Sequence, residues 1–155
     1  MQYDNLLGRP FELGRTDCFK MVRDFYKQNY DIELRNYARP RDWQADTTDI
    51  IGLSYEQEGF DKVTDWSLKT LQPGDLLCMA ISSSKPNHLA IYVGDNTIVH
   101  HKVYTMSSAE VLRDFWRNTT CYVLRHKDVP NTTVEKPTVT IQELLDERNR
   151  LPTDG

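Results

Sequence analysis

A chain of 155 residues is the size of one ordinary domain and buries roughly two-thirds of its unfolded surface, so its stability requires no disulfide or metal staple. Nineteen basic against twenty-three acidic side chains give a net charge of -4, which provides no overall basic field for a phosphate backbone and argues against nucleic acid as a partner. No apolar run approaches the ~20 residues that span a bilayer, and Met1, Gln2, Tyr3 and Asp4 lack the basic-then-apolar order of a signal peptide, so the expectation is a soluble chain made in a cytosol.

In chain order, Tyr3, Leu6 and Leu7 ahead of Gly8, Pro10 and Gly14 read as one helical turn and a loop. Met21, Val22, Phe25 and Tyr26 recur at three-and-four spacing behind Thr16 and Asp17 as candidate caps, which predicts a helix over 17–30. Residues 31–69 are charged and irregular, punctuated by Pro40 and Gly52, and read as a surface excursion with one helix over 48–58. The turn signal Leu71-Gln72-Pro73-Gly74-Asp75 precedes 76–81, a short apolar run of buried-strand length. Segments 88–93 and 97–104, around Gly94-Asp95-Asn96, read as a hairpin carrying Ile, Val and Tyr. Ser107 or Ser108 is placed to cap a helix through Val111, Leu112, Phe115 and Trp116, and 120–125 reads as a closing strand. After His126 the composition shifts to Pro130, Pro137 and Pro152 with few large apolar groups, and Thr140 with Glu143 forms a capping box ahead of Leu144 and Leu145. The expected organisation is a domain over 1–126 and a polar tail over 127–155 with one short helix.

Cys18, Cys78 and Cys121 are an odd number without a Cys-x-x-Cys, which argues against a disulfide framework and a thiolate zinc site. Cys18 falls at a predicted helix start, where unpaired amides and the macrodipole stabilise a thiolate; a small buried apolar residue on the inner helix face reads equally well. Cys78 and Cys121, in predicted strands, are expected to be buried and inert. A cysteine nucleophile needs a general base and a third group that holds the base in the right tautomer. His88 opens the first hairpin strand and His100 and His101 lie on the return strand. A three-residue loop sets Val93 opposite Thr97 and puts His100 on the face of His88, whereas a two-residue loop sets Gly94 opposite Thr97 and puts His101 there. Both remain open on the residues alone. His126 reads as an ordinary surface residue, Asp75 and Asp95 as turn chemistry, and Trp43, Trp66 and Trp116 as core or rim. A metal site from Asp17, Cys18, His88 and His100 lacks tight ligand spacing, so no metal and no cofactor is expected.

Three blocks of residues carry a family resemblance. Gly8-Arg9-Pro10-Phe11 through Gly14-Arg15-Thr16-Asp17-Cys18, followed by Met21-Val22 and Phe25-Tyr26, resembles the active-site helix of the NlpC-type cysteine peptidases, papain-like cell-wall hydrolases. Leu71-Gln72-Pro73-Gly74-Asp75-Leu76 resembles that family's turn into its first core strand, and His88-Leu89-Ala90-Ile91-Tyr92-Val93-Gly94 its base-bearing strand. Twelve residues on, His100 stands at the spacing of the third catalytic group. The resemblance covers 3–126 and leaves the tail out.

It implies an α+β, papain-like fold with the active-site helix packed on a small antiparallel sheet. It further implies Cys18 as nucleophile, His88 as general base and then acid, His100 as the group that orients His88, and the Cys18 amide as an oxyanion donor. His100 is thereby chosen over His101, and with it the three-residue loop. The implied activity is hydrolysis of amide bonds in peptidoglycan stem peptides through an acyl-enzyme, in the family usually between D-glutamate and diaminopimelate or an equivalent diamino acid. Two departures stand out. Many members follow the cysteine with Ser-Gly, whereas Phe19-Lys20 is an aromatic variant that resembles versions in bacteriophage tail proteins. Phe11 stands where many members carry a tyrosine hydroxyl that helps the oxyanion, and one lost donor is commonly worth about 10²-fold or more in rate. Together with the missing signal peptide, this implies a virion tail component that aids passage through the host wall, with other tail proteins as partners for the apolar stripe Ile141, Leu144, Leu145 and Leu151. The alternatives are a tail-tip assembly or adaptor protein that keeps the hydrolase fold with little activity, an acyltransferase with the same Cys-His logic, and a toxin delivered by a secretion machine.

Overall fold

Helix α1 (Cys18–Tyr30) starts where the sequence supplies a cap: the Asp17 carboxylate accepts the Lys20 N–H at 2.9 Å. It stops where Asp31 turns left-handed (φ 53°) and its N–H returns to the carbonyls of Lys27 and Tyr26. The computed structural model describes residues 1–39, 50–130 and 140–150, without the side chains of Ile50, Asn149 and Arg150. Six strands, β1 (Phe60–Val63), β2 (Leu76–Met79), β3 (His88–Gly94), β4 (Thr97–His100), β5 (Ser108–Val111) and β6 (Thr120–His126), form one antiparallel sheet in the order β1-β6-β2-β3-β4-β5. A 3-10 turn (Asp4–Leu6) and the helices α2 (Ile50–Ser54), α3 (Asp114–Thr119) and α4 (Ile141–Arg150) complete the described elements, an α+β architecture as expected.

Successive strand side chains point to opposite faces. On one face Met21, Val22, Phe25 and Tyr26 of α1 pack on Leu76, Cys78, Leu89, Ile91 and Val99. On the other, Leu77, Met79, Ala90, Tyr92, Ile98 and Val123 pack with Leu112 and Trp116. Strand β2 is buried on both faces, which is why its sequence is a continuous apolar run rather than an alternation. Phe25 and Tyr26 are fully buried, and each contributes about 2 kcal/mol of apolar burial. The Tyr26 hydroxyl donates to the Gly74 carbonyl and ties α1 to the turn before β2.

Several elements differ from the sequence reading. The segment 107–116 is strand β5 followed by α3, not a single helix: the outer edge of β4 takes it up, with His100 opposite Ser108 and Thr97 opposite Val111. Ser107 caps nothing and instead clamps the N-terminal loop, donating to the Leu6 carbonyl at 2.6 Å and accepting the Arg9 N–H at 2.9 Å. Strand β1 went unread because its two central residues, Asp61 and Lys62, are exposed on an edge, where only Phe60 is buried. The strand predicted over 76–81 ends at Met79, and the return strand ends at His100. The start of the helix predicted over 48–58 lies outside the described residues, as do Pro40, Trp43, Pro137, Leu151 and Pro152.

The hairpin loop is a correction with a twist. Its turn has two residues, Asp95 and Asn96, both left-handed (φ 49° and 56°), with Gly94 opposite Thr97. An irregularity between Tyr92 and Gly94, with Gly94 itself at φ 97°, then shifts the register, so that Ala90 lies opposite His100. The three-residue loop is absent, but the pairing it was expected to produce is present.

His126 is a core residue, not a surface one: it meets the Phe60 ring edge-on at 4.9 Å, donates from Nε2 to the Glu58 carbonyl at 2.8 Å and accepts the Asp128 N–H at Nδ1. Cys78 is buried as expected, whereas Cys121 is exposed. Val129 still packs against the α1 side of the core, so the packed unit runs slightly past 126. In α4 the capping box forms as read, with Glu143 N–H to Thr140 Oγ1 at 3.2 Å and Thr140 N–H to Glu143 Oε2 at 3.0 Å, and Ile141, Leu144 and Leu145 are exposed. No helix among the described residues is long and apolar enough to cross a membrane.

Candidate active site

The chain reaches Cys18 through a tight loop in which Glu12 and Thr16 exchange backbone hydrogen bonds at 2.8 Å and Gly14, at φ 83°, makes the reversal. Gly14 N–H then donates to Asp17 Oδ2 at 2.8 Å. Asp17 is more than a cap, because its two oxygens also receive Arg39 Nε and Nη2, each at 2.8 Å, and both side chains are only 4% exposed. The Arg39 guanidinium lies 4.8 Å over the Phe19 ring. The aromatic residue after the cysteine is therefore a platform for the charge that balances Asp17. Partial burial opposes ionisation of Asp17, but Arg39 and the amides of Lys20 and Gly14 outweigh it and hold the carboxyl below its usual range.

Cys18 is the first residue of α1 and is packed in the same core cluster as Leu89 of β3. That places it against β3 at the residue following His88. Burial first, and the Asp17 carboxylate second, push the Cys18 thiol up to about 12. The helix-start field expected to favour a thiolate exists, yet desolvation and the neighbouring anion overcome it. The resting group is a thiol.

His88 and His100 meet directly. His88 Nε2 and His100 Nδ1 are 2.9 Å apart, with both rings buried. The Trp116 ring packs beside the pair, 4.8 Å from and perpendicular to that of His100 and 6.5 Å from that of His88. His100 Nε2 in turn is hydrogen-bonded to the Glu110 carboxylate, which also faces Lys102 Nζ at 3.3 Å and Arg113 Nη2 at 3.8 Å. Burial, with the neighbouring His100, Lys102 and His101, lowers the basicity of His88 well below that of an ordinary histidine, so it is a neutral imidazole able to accept a proton. Burial also lowers His100 against the pull of Glu110. Glu110 is held ionised: partial burial opposes this, and His100 and Lys102 prevail.

His101 is not hydrogen-bonded to the pair; its Nε2 donates to the Thr105 carbonyl at 2.9 Å and its ring meets Phe11 edge-on at 5.5 Å. Phe11 also contacts Tyr104. Among the described residues no group of three or more His, Cys, Asp or Glu is arranged to hold a metal ion.

Sequence reasoning missed Glu110, Arg39 and the role of Trp116. Arg39 lies in a stretch without periodicity and left no signal. Glu110 had one: on a strand pairing Ser108 with His100, residue 110 is the diagonal neighbour of His100 on the same face, within reach of a long side chain. Reading 107–116 as a helix hid it.

A cysteine at the start of a helix, packed on an antiparallel sheet whose hairpin joins two buried histidines, is the arrangement of a papain-like cysteine hydrolase fold. A sequence model of the NlpC/P60 family matches residues 8–125, and the chain belongs to that family. It is 37% identical over 123 residues to tail tip assembly protein K of Escherichia phage lambda, covering 79% of this chain and 60% of that protein. It is 29% identical over 126 residues to the protein of the same name from Escherichia phage N15, covering 80% and 50%. The chain thus spans between half and three-fifths of the length of these relatives.

Proposed function

We propose that this chain is a peptidoglycan hydrolase carried in a bacteriophage tail, a cysteine peptidase that cuts amide bonds of stem peptides through an acyl-enzyme. The observation that supports the reading is Cys18 at the start of α1, in the same core cluster as Leu89, the neighbour of His88 in β3, together with the hydrogen-bonded pair His88 and His100. In the first step the S–H bond breaks, its proton passes to His88, and Sγ bonds to the scissile carbonyl carbon. The developing oxyanion is met by the Cys18 N–H, one of the first helical amides without a partner inside the helix. On collapse, His88 returns the proton to the leaving amine nitrogen, and water then releases the acid from the thioester. His100 orients His88 throughout.

The phage setting is supported by the relatives' names and by Phe19-Lys20. The capped helix α4, with Ile141, Leu144 and Leu145 exposed, is the part we assign to other tail proteins, in a tail that follows the hydrolase domain and its last packed residue, Val129.

The test is digestion of peptidoglycan with diaminopimelate-containing stem peptides, read by mass spectrometry of released fragments. Wild type yields fragments with a new free amine, and Cys18→Ala lowers the rate by about 10⁴-fold or more. Undiminished cleavage by Cys18→Ala ends the mechanism. A second reading, a tail assembly component that keeps the fold with little activity, is favoured by the burial and raised proton affinity of the Cys18 thiol. Absence of cleavage by wild type, with phage particles still assembling around Cys18→Ala, establishes that reading instead.

A further inference from the structure

We propose that Glu110 is a positioning residue that sets the tautomers of both buried histidines and so leaves Nδ1 of His88 without a proton. This rests on the cysteine-hydrolase reading above. An ionised carboxylate only accepts hydrogen bonds, so the His100 nitrogen facing it, Nε2, carries the proton. A neutral imidazole has one N–H, which makes His100 Nδ1 a bare acceptor. The partner of that acceptor at 2.9 Å is His88 Nε2, which must therefore be the protonated nitrogen of His88. Nδ1 of His88 is left with its lone pair. In the reverse arrangement, His100 Nδ1–H would point at His88, a bare Nε2 would face the Glu110 carboxylate inside a buried site, and His88 would hold its proton on Nδ1 and have no base to offer.

The surroundings maintain the first arrangement. Lys102 and Arg113 face the Glu110 carboxylate, and the Trp116 ring packs against the rings of His88 and His100. The groups that act electrostatically on His100 are Glu110, Lys102 and His101, and those that act on His88 are His100, Lys102 and His101. When the thiol proton arrives at Nδ1, His88 becomes an imidazolium whose Nε2–H still donates to His100, and the Glu110 charge compensates it through that ring. No covalent bond to Glu110 forms or breaks.

The experiment uses the whole chain labelled with ¹⁵N-histidine and reads imidazole tautomers by long-range ¹H–¹⁵N correlation at neutral pH, in wild type, Glu110→Ala, the bulk-retaining Glu110→Met, and Glu110→Gln. Wild type shows N–H on Nε2 of both His88 and His100. The Ala and Met variants show a new Nδ1–H population at both rings with the sheet intact, and kcat on muropeptides falls about 10- to 100-fold with KM unchanged. Gln, whose amide oxygen still accepts, restores the tautomers and most of the rate. An Nδ1–H on His100 in wild type, or unchanged tautomers in both acceptor-less variants, overturns the assignment. A tautomer shift in a wild-type background that cleaves nothing supports Glu110 as the positioning residue while rejecting the hydrolase; cleavage with tautomers indifferent to residue 110 does the reverse.

Discussion

Cys18 sits where two opposing influences meet, the amides at the start of α1 and the buried Asp17 carboxylate beside it. Because desolvation and that anion prevail, native alkylation of Cys18 is expected to keep accelerating well above pH 8.5 toward a midpoint of about 12. A rate already flat by pH 7, read by peptide mass spectrometry, would contradict this. Asp17→Asn removes the anion and leaves the Arg39 guanidinium beside the thiol, so the midpoint moves down. The same change leaves Arg39 buried without its counter-ion, at a cost of about 3 kcal/mol in denaturant unfolding. At Gly59 a Cβ would come within 2.8 Å of His126 Nε2, at a φ of 89° that side chains rarely adopt, so Gly59→Ala should cost about 2 kcal/mol. A melting temperature equal to wild type would show that His126 can give way. At this scale Cys18, His88 and His100 were all legible as candidates, because nucleophile and base are residue types; Glu110 and Arg39 were not, because a carboxylate and a guanidinium acquire their roles only from what they face.

Helix and strand starts were legible where the signal is local. The Asp17 cap, the periodicity of α1 and the Thr140–Glu143 box all form as read, since each depends on residues within one or two turns. Thr140→Ala should therefore lower the local stability of α4 by about 1 kcal/mol. Faster amide exchange at Glu143 and Leu144, with β3 exchange and the main unfolding transition unchanged, is the expected result; a global shift would mean that α4 is integral to the domain. Strands β1 and β5 were illegible for the complementary reason. Both are short edges, four residues long, specified by the neighbour they pair with rather than by their own alternation. The apolar spacing of Val111, Leu112, Phe115 and Trp116 fits a helix, but the free edge of β4 claims residues 108–111 first.

For the molecule as a whole, His88, His100 and His101 govern the response to acid. Burial lowers the pKa values of His88, His100 and His101 from the model-compound 6.5, so each is neutral in the fold while the unfolded chain takes up protons as pH falls through that value. The stability they contribute is full above about pH 6.5 and is lost progressively below it. Asp17 and Glu110, whose pKa values are lowered, add a second loss in stronger acid, when they are protonated in the fold. The melting temperature is expected to fall steadily from pH 7 to pH 5, and less steeply in His101→Gln, which removes one of the three. A melting temperature constant over that interval would mean that these imidazoles take up protons in the fold at the same pH as in the unfolded chain.

The sequence by itself determined the family, through three resembling blocks of residues, and it determined helix α1 with Cys18 at its start and the strand that His88 opens, because caps, periodicity and turn residues act within a few positions of one another. Which histidine completes the pair was decided by the tertiary structure, through an irregularity at Val93 that converts a two-residue turn into the register of a three-residue one. The protonation of the site was decided there as well. A thiol pushed up and imidazoles pushed down both follow from burial between α1, the sheet and Trp116, and burial is a property of the packed chain, not of any residue in it.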